Sequence, residues 1–235
     1  MKTISIVSRK GGVGKSNIAY NLAVELSQKN LVLLIDLDPQ MDLTCISHLI
    51  MKTKYDILDV LYNDATIEEA SVKLRNNLEI IKGNQNINQF QMAKSLNDLK
   101  TLLTAVEERF DYVIIDFPPN MMGASIQGIV ASDQAIIVSQ SEKLAFKNID
   151  SMIDDLKIIK PEIDIRILIN NVDMRRNLTK KYLKQLRKKY PNELFEEYIP
   201  VSSAFPSSND KKIPLRELSW WPKALTELRK VMKQL

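Results

Sequence analysis

The sequence predicts a doubly wound α/β fold, with a mostly parallel β-sheet flanked by helices. Short, continuous apolar runs recur along the chain, helical patterns separate them, and a glycine-rich turn follows the first run. Unbroken apolar runs are typical of parallel strands covered on both faces, and their alternation with helices is typical of doubly wound sheets. Such a fold binds its ligand at the carboxyl ends of the strands.

Six segments are predicted as strands and six as helices. The strand candidates are Thr3 to Ser8, Leu31 to Asp36, Leu78 to Lys82, Tyr112 to Asp116, Gln134 to Ser139 and Ile165 to Asn170. The helical patterns lie at Ser16 to Gln28, Ile57 to Leu61, Leu96 to Phe110, Ala124 to Ala131, Ala145 to Ile159 and Thr179 to Tyr190. No linker rich in Gly, Pro or Ser divides them, so we expect residues 1–235 to form a single domain.

Composition argues against several classes of protein. No stretch approaches the roughly 18 consecutive apolar residues of a membrane span. The chain enters its first strand without a signal-type apolar segment, so we expect it to stay in the cytoplasm. The single cysteine, Cys45, excludes an internal disulfide and forms no structural zinc site with the single histidine, His48. We interpret both as packing or surface residues.

The first apolar run leads into a glycine-rich loop, Lys10-Gly11-Gly12-Val13-Gly14-Lys15-Ser16. Residues without a Cβ let the backbone curl so that successive N–H groups converge on phosphate oxygens, and the following helix adds the positive end of its dipole. Lys15 is placed to reach the β- and γ-phosphates, and Ser16 to bind Mg²⁺. The loop predicts a nucleoside triphosphate site.

This loop departs from the usual phosphate-loop pattern at two positions. Arg9 stands where the first glycine of G-x-x-x-x-G-K-[ST] belongs, and a second lysine, Lys10, lies inside the loop. The pattern resembles the deviant Walker A motif of the ParA/MinD family of ATPases. The resemblance implies that ATP and Mg²⁺ bind between two copies of the chain and that Lys10 reaches the partner's phosphates. The nucleotide contacts it implies here are Gly11, Gly12, Val13, Gly14, Lys15, Ser16 and Asn17.

A pair of aspartates ends the second predicted strand in the run from Leu33 to Gln40. This run resembles the second signature of the ParA family, which implies that Asp38 orients the attacking water and that Asp42 helps to hold the Mg²⁺ shell. We assign Asp36 a supporting role. From spacing alone, Asp-Leu-Asp-Pro is also consistent with a simple strand-terminating turn.

Another acidic motif ends the strand Tyr112 to Asp116, just before Phe117-Pro118-Pro119. An apolar strand that ends in an aspartate is the Walker B arrangement, in which the carboxylate holds Mg²⁺ beside the serine of the phosphate loop. A buried carboxylate is costly unless something pairs with it. The alternative is that Asp116 caps the turn before the prolines.

The resemblance continues over nearly the whole chain. The segment from Asn170 to Leu178 is similar to the family segment that carries the adenine contact, which implies that Asn170 is the amide partner of the base. The loop Ile199 to Ser203, with Pro200, is similar to the second wall of the base pocket. An asparagine at a strand end is otherwise often a cap. Ser139 stands where a proline is frequent in the family, and no helix-turn-helix precedes the first strand.

Positive charge is concentrated at the carboxyl end of the chain. Met174 to Leu235 contains 15 Lys+Arg and 6 Asp+Glu, a net charge of +9, so Met1 to Asp173 is net −5 in a chain of net +4. Such a region is often only a solvated face, but it is also suited to a phosphate backbone. The resemblance implies non-specific DNA binding, a ParB-like partner and a nucleoid location. The candidate DNA contacts are Arg175, Lys181, Lys184, Arg187 and Lys188.

Two rival functions follow from other features. The tail from Trp220 to Leu235 has an apolar stripe opposite lysines, as in a MinD-like protein that attaches to membranes by an amphipathic helix. A terminal helix packed on the domain is the interpretation we favour, so we do not expect a membrane partner. A non-enzymatic nucleotide-binding scaffold is disfavoured because Lys10, Asp38 and Asp116 are all present.

Overall fold

The computed structural model describes residues 1–47, 53–90 and 98–235, and within them eight strands form one sheet. The strands are β1 (Lys2–Val7), β2 (Val32–Asp36), β3 (Val72–Arg75), β4 (Leu78–Ile81), β5 (Tyr112–Asp116), β6 (Gln134–Gln140), β7 (Asp164–Val172) and β8 (Leu194–Pro200). Their order is β3-β4-β2-β5-β1-β6-β7-β8, and every neighbouring pair is parallel except β3 with β4.

Helices connect the strands and cover the sheet. They are α1 (Lys15–Leu26), α2 (Asp42–Ile46), α3 (Ile57–Leu61), α4 (Ile67–Ala70), α5 (Asp98–Thr104), α6 (Ala124–Ala131), α7 (Ala145–Ile159), α8 (Asn177–Lys189), α9 (Ala204–Lys211) and α10 (Lys223–Met232). Single 3₁₀ turns lie at Ile87–Gln89 and Leu215–Glu217. A separate hydrophobic core lies on each face of the sheet. The predicted fold class is confirmed.

Strand register brings the acidic motifs together. Asp36 at the end of β2 pairs in register with Asp116 at the end of β5. On its other side β5 pairs with β1, and there Asp116 lies in register with Ile6, just before the glycine-rich loop. Parallel strands end at a common edge, so three segments distant in the sequence meet at one site.

The interior strands were predicted and two outer strands were missed. The bounds of β5, α3, α6 and α7 agree with the sequence prediction. The edge strand β3 is short and partly exposed, and the edge strand β8 is interrupted by Glu196 and Glu197, so neither shows an unbroken apolar run. Pro200 therefore ends a strand, whereas the sequence predicted a loop from Ile199.

Other predicted bounds need correction. The helix expected over Leu96 to Phe110 is α5, which ends at Thr104, and turns follow it. Leu96 and His48 lie outside the described residues. The short helices α2, α4 and α9 were not predicted, and α8 begins at Asn177 rather than Thr179. Cys45 is an exposed free cysteine on α2.

The carboxyl-terminal helix packs against the sheet. Ala224, Leu225, Leu228 and Val231 of α10 are buried, and the helix contacts β8 and α1. The apolar stripe of the tail is therefore part of the core, which confirms the packed interpretation. Among the helices that the structure describes, none is long and apolar enough to cross a membrane.

Candidate nucleotide-binding site

The glycine-rich loop joins β1 to α1 in a conformation that requires glycine. Gly12 and Gly14 have φ angles of 70° and 94°, in the left-handed region that side chains with a Cβ rarely adopt. A Cβ on Gly14 would also lie 2.5 Å from Nδ2 of Asn170. Both the backbone conformation and the packing therefore exclude a larger residue at position 14.

The loop ends at the amino terminus of α1. Gly14 is the N-cap, and no side chain caps this 12-residue helix. The first N–H groups of a helix have no partner within it, and together with the helix dipole they favour an anion. Lys15 at the first helical position is buried, so its ammonium group lies beside this terminus rather than in bulk solvent.

A pocket of about 420 Å³ opens in front of this terminus. It brings the phosphate loop together with the acidic residues predicted for the site. Its lining residues are Gly11, Gly12, Gly14, Lys15, Ser16, Asn17, Asp38, Gln40, Asp42, Ile46, Pro119 and Asn209.

Asp116 lies beneath the pocket and is fully buried. Neither of its carboxylate oxygens has a hydrogen-bond partner among the described residues. Burial raises the pKa of Asp116 well above its usual value, and repulsion from Asp36 raises it further, while Ser16 and Lys15 oppose the shift. The expected pairing of this carboxylate within the protein is not found, and an unpaired buried carboxylate is a candidate ligand for a cation.

Asp36 holds the segment that follows β2. Its Oδ1 accepts a hydrogen bond from the backbone N–H of Asp38 at 3.0 Å, and its Oδ2 accepts from the N–H and hydroxyl of Thr44 at 2.9 and 2.7 Å. Burial raises the pKa of Asp36 to about 6, although the bonds from Thr44 lower it. The supporting role assigned to Asp36 is consistent with this geometry.

Asp38 belongs to a turn and also lines the pocket. Its Oδ1 accepts from the N–H of Gln40 at 2.9 Å, and its carbonyl oxygen accepts from the N–H of Met41 at 2.8 Å. Burial raises the pKa of Asp38, opposed by the Gln40 bond and by Lys15. The strand-terminating turn and the role in the site are therefore compatible, because Asp38 accepts the bond of the turn at Oδ1 and also lines the pocket.

The donor set at this edge fits Mg²⁺. Mg²⁺ prefers oxygen ligands, commonly one or two carboxylates with substrate phosphates and water. The unpartnered oxygens of Asp116, the hydroxyl of Ser16 and the exposed carboxylate of Asp42 are of this type. Within residues 1–47, 53–90 and 98–235 no group of three or more His, Cys, Asp or Glu side chains is placed to hold a metal without further ligands.

Lys10 has an ionic partner within its own chain. Its Nζ lies 2.9 Å from Oε1 of Glu142, just beyond β6, and 3.4 Å from Oε1 of Gln140, the last residue of β6. From the sequence, Lys10 was expected to reach the phosphates of a partner copy. In the single chain the ion pair with Glu142 holds its ammonium group at the rim of the site.

A second pocket of about 470 Å³ adjoins the phosphate loop and contains the predicted base contacts. Asn170 and Pro200 line it together with Gly12, Val13, Gly14 and Asn17. The Nδ2 of Asn170 donates to the carbonyl oxygen of Val13 at 2.7 Å, so this side chain also holds the phosphate loop.

Helix α9 supplies lining residues that sequence reasoning missed. Phe205, Pro206 and Asp210 line the second pocket, and Asn209 lines both pockets. No motif marked them, because α9 follows β8 in a polar segment without apolar periodicity. Only the return of the chain over α1 brings them to the nucleotide site.

The basic residues of α8 lie on its exposed side. Lys181, Lys184, Arg187 and Lys188 are exposed, while Leu183 and Leu186 are buried against the sheet. Residues 174–192 contain no acidic residue, but acidic side chains from outside this segment pair with some of its cations. Arg175 pairs with Asp173, and Lys189 pairs with Asp150. Arg187 also donates to the carbonyl oxygen of Glu196 at 2.9 Å.

Comparison with known proteins identifies the family. The model of the AAA_31 family, described as an AAA domain, matches residues 1–169, which is more than half of the chain. The chain belongs to the AAA_31 family and is a ParA/Soj-type P-loop ATPase. This ATPase is 28% identical over 214 residues to the sporulation initiation inhibitor protein Soj of Bacillus subtilis, across 85% of this chain and 84% of Soj. It is 27% identical to the chromosome partitioning protein ParA of Myxococcus xanthus, across 85% and 75% of the two chains.

Solved structures share the fold of this ParA/Soj-type ATPase. A putative plasmid partition protein of Borrelia burgdorferi bound to AMPPNP superposes with a TM-score of 0.87 at 24% identity, covering 99% of this chain and 97% of that one. The ATP complex of a Cyanothece McdA variant also gives a TM-score of 0.87 at 24% identity, covering 100% and 95%. These likenesses establish the fold, and the family establishes ATP as the nucleotide.

Proposed function

We propose that this protein is a Mg²⁺-dependent ATPase switch that dimerises with ATP, binds DNA non-specifically and drives plasmid or chromosome partition with a ParB-like partner. The observation that carries the proposal is the pocket in which the phosphate loop, Asp38 and Asp42 meet above the unpartnered carboxylate of Asp116. The partition role rests on relatives named as chromosome and plasmid partition proteins.

Hydrolysis follows from the parts of the pocket. The triphosphate lies against the amino terminus of α1, where Lys15 and the loop N–H groups neutralise its charge. Asp38 orients the attacking water, with the turn at Gln40 fixing its carboxylate. Ser16, Asp116 and Asp42 would hold Mg²⁺, which would neutralise charge on the phosphates and favour ionisation of Asp116. The base enters the second pocket, between Asn170 and Pro200.

Dimerisation brings Lys10 to the nucleotide of the partner. To reach that nucleotide, Lys10 must leave its ion pair with Glu142 and form one with a phosphate, which carries more negative charge. Exposed apolar side chains follow the carboxyl ends of four strands: Met122 after β5, Leu144 after β6, Leu178 after β7 and Val201 after β8. Apolar groups around a charged site suit a surface that is covered by a second copy. Trans-acting cations of this kind accelerate phosphoryl transfer strongly.

DNA binding is assigned to the exposed side of α8. Lys181, Lys184 and Lys188 are exposed along this helix, and none of them forms an ion pair with another residue that the structure describes. A few phosphate contacts from one copy give weak binding at physiological salt, and a dimer doubles them. The ATP state would then hold the protein on the nucleoid in the cytoplasm, and hydrolysis would release it.

The experiment compares charge reversal on α8 with the same change elsewhere. Lys184→Glu with Lys181→Glu should abolish ATP-dependent retention on duplex DNA and spare basal phosphate release. Lys29→Glu, at an exposed site beyond the far end of α1, is the matched control and should retain DNA. Unchanged affinity of the α8 variant across a salt series would refute the assignment of the DNA surface to α8. A wild-type protein that releases no phosphate from ATP and Mg²⁺ would refute the ATPase proposal.

A further inference from the structure

Two adjacent tryptophans lie exposed in the loop before α10. Trp220 and Trp221 are 43% and 60% exposed, and they are the only tryptophans in the chain. Indoles bury more apolar area than almost any other side chain, so a neighbouring exposed pair marks a candidate contact surface. Neither residue lines the nucleotide pockets.

Both indoles are held by cations of the protein. The Nζ of Lys211 lies 5.3 Å from the ring centroid of Trp220, and the guanidinium of Arg229 lies 4.2 Å from that of Trp221. The indole N–H of Trp221 donates to the hydroxyl of Thr226 at 3.0 Å. We call the surface formed by Trp220, Trp221 and Lys211 with Arg229 the indole platform.

The indole platform is anchored to the helix that begins at the phosphate loop. Arg229 forms an ion pair with Glu25 of α1, whose side chain is only 4% exposed. Arg216 lies 3.7 Å from the other oxygen of the same carboxylate. A buried carboxylate between two arginines holds its partners in fixed positions. The platform therefore has a preset orientation, which lowers the entropic cost of binding.

The chemistry around the platform favours a flat, anionic ligand. The segment from residue 210 to 223 carries four cations, Lys211, Lys212, Arg216 and Lys223, against Asp210 and Glu217. Its net charge of +2 favours an anionic ligand. From residue 202 to the end of the chain the two tryptophans are the only large hydrophobic side chains that are exposed. A bilayer would therefore meet no aliphatic side chain to insert, whereas an unpaired base can stack on an indole.

We propose that the indole platform binds single-stranded nucleic acid. Unpaired bases stack on Trp220 and Trp221, and Lys211, Lys212 and Lys223 contact the phosphates between them. The two tryptophans lie outside the α8 surface assigned to duplex DNA, although Lys223 shares a pocket with Arg187. The ligand is defined by unpaired bases rather than by the duplex backbone.

The test uses the intrinsic fluorescence of the full-length protein, which reports on this loop alone because the chain has no other tryptophan. Titration with an oligo-dT of about fifteen nucleotides should quench the emission, whereas a duplex of equal length should quench it far less. By anisotropy of a labelled oligonucleotide, Trp220→Leu and Trp221→Leu should each weaken binding about tenfold. Trp→Phe at the same positions, which keeps a ring, should retain most of the affinity.

Controls separate this proposal from the others. Tyr62→Leu removes a comparably exposed aromatic ring elsewhere and should leave oligo-dT binding unchanged. The Lys181→Glu, Lys184→Glu variant should lose duplex DNA yet keep the quenching by oligo-dT. The proposal is overturned if the Leu variants bind oligo-dT as tightly as the wild type. It is also overturned if vesicles containing phosphatidylglycerol shift the emission to shorter wavelength while oligo-dT leaves it unchanged.

Discussion

The Nζ of Lys10 lies 2.9 Å from Oε1 of Glu142 in the same chain. A lysine that acts on a partner's nucleotide must first leave this carboxylate. Both side chains are substantially exposed, and exposed ion pairs contribute only about 0.2–1 kcal/mol. The pair therefore holds Lys10 at the rim without preventing its transfer to a phosphate.

We expect Lys10→Ala to separate nucleotide binding from dimerisation. The variant should bind ATP nearly as well as the wild type, because Lys15 and the loop N–H groups are retained, but it should lose hydrolysis and dimerise weakly. Glu142→Gln is the companion variant, and it should favour the ATP dimer by no more than about fivefold. Light scattering and phosphate release measure both effects. A Lys10→Ala protein as dimeric and active as the wild type would contradict the trans role.

Asp38→Asn is expected to trap the ATP state. The amide keeps the size of the side chain and can still accept from the N–H of Gln40, but it cannot polarise a water molecule. Phosphate release should fall by a factor of about 10² or more, while the variant still binds ATP and dimerises. Single-turnover measurements with excess protein check the chemical step directly. Normal turnover would move the water-orienting role to another carboxylate.

Asp116 makes the stability of the nucleotide-free protein depend on pH. Burial raises its pKa, so above pH of about 4 the folded state retains a proton that the unfolded state releases. The free energy of unfolding that Asp116 contributes is fully present below the pKa of its carboxyl group in the unfolded state. It is lost as the pH rises toward the pKa of the same group in the folded state, at up to about 1.4 kcal/mol per pH unit.

Asp116→Asn removes this dependence and supplies the comparison. We expect the variant to gain stability relative to the wild type as pH rises from about 5 to about 7.5, and to lose Mg²⁺-dependent ATP hydrolysis. Urea unfolding without nucleotide at each pH measures the difference. Parallel stability profiles for the two proteins would show that Asp116 is ionised in the nucleotide-free state.

The carboxyl-terminal helix should behave as part of the core. Leu228 is fully buried between α10 and the rest of the domain, so Leu228→Ala should lower the free energy of unfolding by about 2–5 kcal/mol. Flotation with anionic vesicles and ATP should leave the wild-type protein in the unbound fraction. Lys233→Ala, at an exposed position beyond α10, should change stability little. ATP-dependent flotation would favour the MinD-like function.

Sequence patterns identified the interior of the sheet and the elements of the site. Unbroken apolar runs marked β1, β2, β5, β6 and β7 because both faces of these strands are covered. The glycine loop and Asp116 were found because each stands at a fixed offset from a strand end, whereas Asp38 was found through the resemblance to the second signature of the ParA family. The edge strands β3 and β8 were not predicted, because a partly exposed strand carries too few apolar residues for its pattern to be recognised.

The sequence by itself determined the fold class, the phosphate loop and the acidic residues around it, because these depend on local backbone geometry and hydrophobic periodicity. Only the tertiary structure decided that Asp116 is buried without a hydrogen-bond partner among the described residues, that Glu142 holds Lys10 and that Asn170 binds the loop at Val13. Those relationships join segments that are up to 157 residues apart. Contacts of this kind depend on the order and register of the strands, which no local sequence pattern predicts.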